Sequence, residues 1–243
     1  MPTPRLTFVF HDCFMLEFDE TVIIFDYWRD SLTDKDKHDF PSFLNVIRPD
    51  KKLYVIVSHH HKDHFNKKIF LWAQRFPNIR YIISPDVFRA AGYILREKGN
   101  YKGYKPPLER VSVLDNEWSG EGSHTPNFPQ VYEDDTLKVT AFGSTDIGNS
   151  YAVEIEGYRV FHAGDLNAWD TPSNSNGTEL KESRASFCKI VYDIQKHHPE
   201  FDLAMFPLDS RRGEEYWWGA AFFVRTIKCR RLVPMHLTLR QMI

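Results

Sequence analysis

Ser58-His59-His60-His61-Lys62-Asp63-His64-Phe65 follows directly on the apolar run Leu53–Val57. Read as His59-x-His61-x-Asp63-His64, it sets four potential metal ligands within six positions. A short apolar run bounded by polar residues has the pattern of a buried strand. Side chains alternate between the faces of a strand, so His59 and His61 are expected to point the same way. A turn must then bring Asp63 and His64 to the same place from another direction. Imidazole nitrogen and carboxylate oxygen suit zinc, and also iron or manganese. The competing reading is a solvated polar turn that happens to be rich in histidine; spacing and position after a strand both favour a site.

Upstream lie three short apolar runs, Leu6–Phe10, Phe14–Phe18 and Val22–Phe25, the last two separated by a Phe-Asp-Glu-Thr turn at 18–21. This is the pattern of a β-meander or hairpin. Residues 29–51 are polar and helix- or loop-like. Downstream, Ile69, Phe70, Trp72 and Ala73 give Lys67–Phe76 a helical period. Tyr81–Ser84 reads as a strand, and Pro85 opens a helix where proline is tolerated. Residues 98–135, rich in Gly, Pro, Asn, Ser and charge, read as a polar loop or lid insertion. Strands are then expected at Leu137–Phe142, Tyr151–Ile155, Val160–Ala163, Leu203–Leu208 and Leu232–Met235, and helices at Leu180–His197 and Glu214–Lys228. Two strand-rich stretches, each followed by helices, predict an α/β, layered α+β architecture of two sheets packed face to face with helices outside. With no repeat and no clear linker, one domain is expected over 1–243.

With 243 residues, 42% hydrophobic and 26% charged, the chain can bury a full core. A formal net charge of −2 gives no support to a nucleic-acid partner. Three cysteines, Cys13, Cys188 and Cys229, show no C-x-x-C spacing and fit buried thiols in a reducing compartment. The N-terminus lacks an export pattern, and no run approaches the roughly 18 apolar residues that span a bilayer. A cytoplasmic location and no membrane partner are the expectation.

Two further strand ends carry candidate ligands. Val160–Ala163 runs into Gly164-Asp165, and the last strand runs into His236. Alone, Gly-Asp is an ordinary turn pair and a terminal histidine is ordinary surface. With the histidine run they complete a ligand set. At this point the chain resembles the metallo-β-lactamase-fold superfamily of metal-dependent hydrolases, through Phe10-His11-Asp12-Cys13-Phe14, Ile24-Phe25-Asp26, the His59–His64 signature, Gly164-Asp165 and His236. It looks most like the branch of small, stand-alone, ascorbate-phosphate lactonase-like proteins. The resemblance implies a four-layer αβ/βα sandwich. It also implies a first metal on His59 and His61, a second on Asp63, His64 and His236, and Asp165 bridging both. The family's third histidine for the first metal is missing. In its region the chain reads Gly143-Ser144-Thr145-Asp146, where Asp146 either substitutes as a carboxylate ligand or belongs to a Gly-rich turn. His124 is a remoter substitute.

A second tier surrounds these. His60 alternates away from its neighbours, and His162 reads as a core histidine or a group that orients a ligand. Asp209 and Arg211 lie between a strand and a helix, where Arg211 could hold an anionic group of a substrate or form a plain salt bridge. His11 and Asp12 sit at a strand break and could line the same mouth. Trp217 and Trp218 read as helix packing, and Cys13 as a buried apolar residue. The implied chemistry is hydrolysis of an ester-like bond (phosphoester, lactone or thioester) in a small-molecule substrate by a metal-bound hydroxide, with Asp63 and Asp165 orienting it over one or two Zn2+, Mn2+ or Fe ions. An iron-dependent oxidoreductase on the same fold, or a member that binds without turnover, are the alternatives.

Overall fold

The apolar runs Val22–Phe25 and Leu53–Val57 form neighbouring parallel strands, buried along their length, as strands covered on both faces require. The computed structural model of the protein describes residues 3–31, 38–116 and 130–237. They divide into two units, Met1–Val113 and Leu114–Ile243.

In the first unit, β1 (Arg5–Phe10), β2 (Cys13–Glu17), β3 (Thr21–Phe25), β4 (Lys52–Val57), β5 (Ile79–Ile83) and β6 (Val111–Val113) form one sheet in that order. The expected meander is present: β1–β2 and β2–β3 are antiparallel, and β3 to β6 run parallel. The Lys67–Phe76 period folds as a 3-10 helix, Lys67–Gln74, whose Asn66 side chain accepts the Lys68 N–H. It buries Ile69, Phe70 and Trp72 against Tyr27, Leu44 and Tyr81 in the unit's core. Pro85 begins α1 (Pro85–Ala90) as expected.

In the second unit the order is β14 (Leu232–Met235), β12 (Leu203–Pro207), β10 (Tyr158–His162), β9 (Ser150–Ile155), β8 (Leu137–Phe142), β7 (Val131–Glu133). A separate pair joins β11 (Glu200–Phe201) to β13 (Lys228–Cys229). Helix α2 (Gly177–His197) starts at a capping box in which Asn176 accepts the Glu179 N–H and the Glu179 side chain accepts the Asn176 N–H. Helix α3 (Trp218–Thr226) places Phe223 between Phe161 and Phe206, with ring centroids 5.0 and 4.9 Å away.

The stretch expected as loop at 98–135 holds β6 and β7 within its described part, and residues 117–129, His124 among them, lie outside the described residues. Among the described residues no helix is long and apolar enough to cross a membrane. Within each unit the candidate residues fall just beyond the carboxyl ends of the parallel strands: Asp26 after β3, Ser58–His64 after β4, Asp86 after β5, Asp165 after β10, Asp209 after β12 and His236 after β14. There a strand hands its unpaired backbone to a loop, and open α/β sheets hold their ligands there.

Candidate functional site

In the first unit, a single carboxylate ends β4 and sets the histidine loop. Asp26 is buried and left-handed, with φ 43°. Its Oδ1 accepts the Ser58 N–H at 2.7 Å, and its Oδ2 accepts the Ser58 hydroxyl at 2.5 Å and His64 Nδ1–H at 2.8 Å. The ladder of β4 therefore stops at Val57. His59 and His61 do not alternate along a strand as expected; they stand in the loop beyond it, His59 buried and His61 exposed. A turn closes behind them, where the His61 carbonyl accepts the N–H groups of His64 and Phe65 at 3.1 and 3.0 Å.

The hydrogen bonds also fix which ring nitrogens hold lone pairs. The Ser58 hydroxyl donates to Asp26, so its oxygen accepts His59 Nδ1–H at 3.0 Å. That leaves His59 Nε2 as the basic nitrogen, 3.0 Å from His61 Nδ1. Likewise His64 donates Nδ1–H to Asp26, and its Nε2 faces Asp12 Oδ2 at 3.4 Å. A carboxylate behind a histidine in this manner orients a metal ligand and raises its basicity. Two donors on a tetrahedral zinc with bonds of about 2.0–2.1 Å stand about 3.3 Å apart. The His59–His61 pair fits that geometry, and the nitrogen and oxygen donors suit zinc, iron or manganese.

Asp63 lies in the turn, half-buried, with Oδ2 3.5 Å from His11 Nε2. The His11 imidazole holds its carboxyl well below the usual carboxylate range, against the effect of burial and with help from His64. His60 is held by the carboxylate at the start of α1, with its ring 5.4 Å from that of His61. Its N–H and Nδ1 both reach Asp86 Oδ2, at 2.7 and 2.9 Å, while Ser84 Oγ donates to Asp86 Oδ1. The Cys13 thiol is pushed well up by burial and then by Asp26, Asp30 and Asp12, which suits an inert core residue.

In the second unit, Gly164 at φ 52° turns the chain out of β10, and its N–H donates to the ring of buried His162 at 3.2 Å. His162 thus shapes the turn that presents Asp165. Thr145 Oγ1 donates to the Asn167 carbonyl at 2.6 Å, tying this turn to the loop of Asp146. A carboxylate oxygen of Asp146 lies within 4.8 Å of one of Asp165, although Asp146 is exposed and its own N–H donates to Ser144 Oγ. Both features considered for Asp146, a turn and a carboxylate beside the aspartate, are therefore present.

His236, at φ 58°, stands between two carboxylates: Nε2 lies 3.6 Å from Asp165 Oδ1 and Nδ1 lies 3.3 Å from Asp209 Oδ2. Burial alone would raise the Asp209 carboxyl, but His236 and Arg211 outweigh it and hold it well below the usual range. Asp209 is thus turned onto His236 and away from solvent. Arg211 forks onto Asp209 through Nε and NH2, at 2.9 and 2.6 Å, with more than half its side chain exposed. Trp218 packs on Phe222 and Phe187, whereas Trp217 is exposed. The residues whose roles sequence reasoning missed are Asp26 and Ser58. Their only signal was an acidic residue closing one apolar run and a hydroxyl closing the next.

A family model for the beta-lactamase superfamily domain matches residues 5–180. The chain belongs to this superfamily. No curated protein matches it in sequence. Among solved structures, the superfamily chain is similar to Igni18, a metallo hydrolase from Ignicoccus hospitalis, at 16% identity and a TM-score of 0.58, covering 97% of this chain and 83% of that one. A candidate metal-dependent hydrolase from Parabacteroides distasonis is similar at 18% identity and a TM-score of 0.56, with the same coverage. The diiron β-hydroxylase CmlA from Streptomyces venezuelae gives 11% identity and a TM-score of 0.58, over 97% of this chain but only 46% of that one. At these identities the likeness is one of fold. The fold class expected from the sequence, α/β of the metallo-β-lactamase type, is the fold found, and the His/Asp sets in it are able to bind a metal.

Proposed function

We propose that the protein is a metal-dependent hydrolase that cleaves an ester-like bond, a phosphoester, lactone or thioester, in a small and anionic cytoplasmic molecule. The observation that carries the reading is the pair of imidazole nitrogens, His59 Nε2 and His61 Nδ1, 3.0 Å apart, with the lone pair of His59 fixed by Ser58 and Asp26. The family's ligand pattern adds Asp63, His64, Asp165 and His236, with Asp146 in place of the absent histidine. A divalent ion, zinc in this reading, makes water nucleophilic near neutral pH when bound.

The chain's own residues do the rest. Asp26 and Ser58 hold the histidine rings in the tautomer that ligates. Asp63, kept ionised by His11, accepts a hydrogen bond from the attacking water and so orients it. Asp165 is assigned the same orienting role. Arg211 is the candidate to receive an anionic substrate group, since its exposed guanidinium is already aligned by Asp209.

Metal analysis of the purified protein, followed by a panel of phosphodiesters, lactones and thioesters, tests the proposal. Stoichiometric zinc or manganese, with hydrolysis of one class lost in the His59→Ala/His61→Ala double variant, is the expected result. A protein that takes up no transition metal, or a double variant with unchanged metal content and turnover, overturns it. Stoichiometric iron with a visible absorption band and no hydrolysis moves the reading to an oxidoreductase, for which the mixed histidine and carboxylate donor set is also suited.

A further inference from the structure

We infer that His11 and Asp12, in the two-residue turn between β1 and β2, are themselves metal ligands, joining His64 in a three-donor set within the first unit. The inference rests on the hydrolase reading for its metal but adds residues that the family's ligand pattern leaves out. Their spacing carries it. A donor atom of each of His11, Asp12 and His64 lies within 4.8 Å of the others; His11 Nε2 stands 3.2 Å from Asp12 Oδ2, and Asp12 Oδ2 stands 3.4 Å from His64 Nε2. These are the donor-to-donor edges around one small divalent ion, about 3.3 Å for bonds of about 2.0–2.1 Å.

Hydrogen bonding alone accounts for them poorly. A charge-assisted N–H···O bond settles at about 2.7–2.9 Å. The same loop contains that kind of contact, His64 Nδ1 to Asp26 at 2.8 Å. One face of His64 is thus closed onto an orienting carboxylate, while the other stands off from Asp12 at ligand spacing. The charges also balance in favour of an ion, because a divalent cation offsets the Asp12 carboxylate that lies between two neutral imidazoles. That balance matters because Asp12 is fully buried, and burying an ionised carboxylate is unfavourable unless a cation offsets it. Asp63, with 39% of its side chain exposed, leaves an open side for the ion to enter.

The backbone gives an independent argument. Phe10 pairs with Cys13, so His11 and Asp12 alone make the turn, and His11 adopts φ 56°. Histidine is among the residues that accept this conformation, and here it turns the ring toward Asp12 and Asp63. Phe10 and Trp28, with ring centroids 6.5 and 5.9 Å from His11, hold the imidazole in place.

The test is metal uptake. Chelator-treated protein and the variants His11→Ala, Asp12→Asn and Asp12→Glu are titrated with Zn2+ and with Co2+, whose visible spectrum reports its ligands. His11→Ala and Asp12→Asn are expected each to lose one bound ion or to bind it more than about tenfold more weakly. The Co2+ spectrum should change in both, and Asp12→Glu should restore part of the uptake. The metal-free proteins should unfold near the wild-type temperature. Variants that bind Zn2+ and Co2+ as wild type does, or that only unfold at lower temperature while keeping full uptake, overturn the inference and leave the hydrolase reading standing. Wild-type protein that takes up neither ion overturns both. Should Asp12→Asn fail to fold, His11→Gln reads the same donor set.

Discussion

Asp209 sits behind His236 as Asp26 sits behind His64: each carboxylate faces the Nδ1 side of its ring and leaves Nε2 toward a second acidic residue. Replacing Asp209 with Asn keeps the volume but removes the charge that favours Nδ1–H. It presents an amide that can reverse the tautomer. Zinc affinity in a chelator competition is expected to fall about 10–100-fold in Asp209→Asn. Unchanged affinity would reduce Asp209 to a salt bridge with Arg211. The candidate residues could be picked out in the sequence, because His59-x-His61-x-Asp63-His64 is a local pattern and Asp165 and His236 each close an apolar run. The carboxylates behind them could not. Asp26 meets His64 across 38 residues, a contact that exists only once β3 and β4 have paired. Alternation along β4 misled for a related reason: capture of the Ser58 N–H by Asp26 ends the strand before the histidines begin.

At the scale of elements, β8 was legible to the residue because Leu137–Phe142, buried at all but Lys138, is bounded by Asp134-Asp135-Thr136 and by Gly143. Helix α3 was not. A helix over Glu214–Lys228 fits the apolar pattern, yet Gly213 and Glu215 both take positive φ, 84° and 63°, and the helix begins only at Trp218. Strands β6 and β7 are three residues each and too short to show a period. In the first turn of α3, Gly219 supports the turn that carries Asp165. A Cβ there would fall 2.0 Å from Asn167 Oδ1 and 3.2 Å from the Ala168 nitrogen. Helix propensity alone would make Gly219→Ala stabilising by about 1 kcal/mol. The clash with buried Asn167 reverses the sign, and a loss of about 1–3 kcal/mol in urea unfolding is expected. Gly143→Ala, whose added methyl would meet Ile190 at an ordinary 3.4 Å, is the control and should be close to neutral. A Gly219→Ala protein more stable than wild type would show that Asn167 does not constrain α3.

For the molecule as a whole, the shifted groups shape how metal-free protein responds to pH. Burial lowers His198, so the unfolded chain takes up its proton first, and stability begins to fall as pH drops below about 6.5. Glu17 follows: burial would raise it, but the hydrogen bonds from Lys51 and Arg5 outweigh this and lower it. Asp63 and Asp209 are lowered as well. Groups lowered in the folded state contribute stability above their unfolded pKa values, about 4, and lose it as pH falls through the folded ones. On the alkaline side the sign reverses. Burial pushes the Cys229 thiol up to about 11, and Cys13 is pushed well up too. The unfolded thiols ionise from about pH 8.5, so stability falls again above that value. Urea unfolding of metal-free protein from pH 3.5 to 10 should therefore trace a dome, with a first acid step near pH 6.5 and a steeper one below about 4. Glu17→Gln should lower the plateau by about 2 kcal/mol, the worth of hydrogen bonds to a charged group, and flatten the lower acid step. Its difference from wild type should close as pH falls below about 4, because protonating Glu17 removes the same charge that the substitution removes. A gap that stays constant across the acid range would mean that Lys51 and Arg5 act through packing and not through the charge of Glu17.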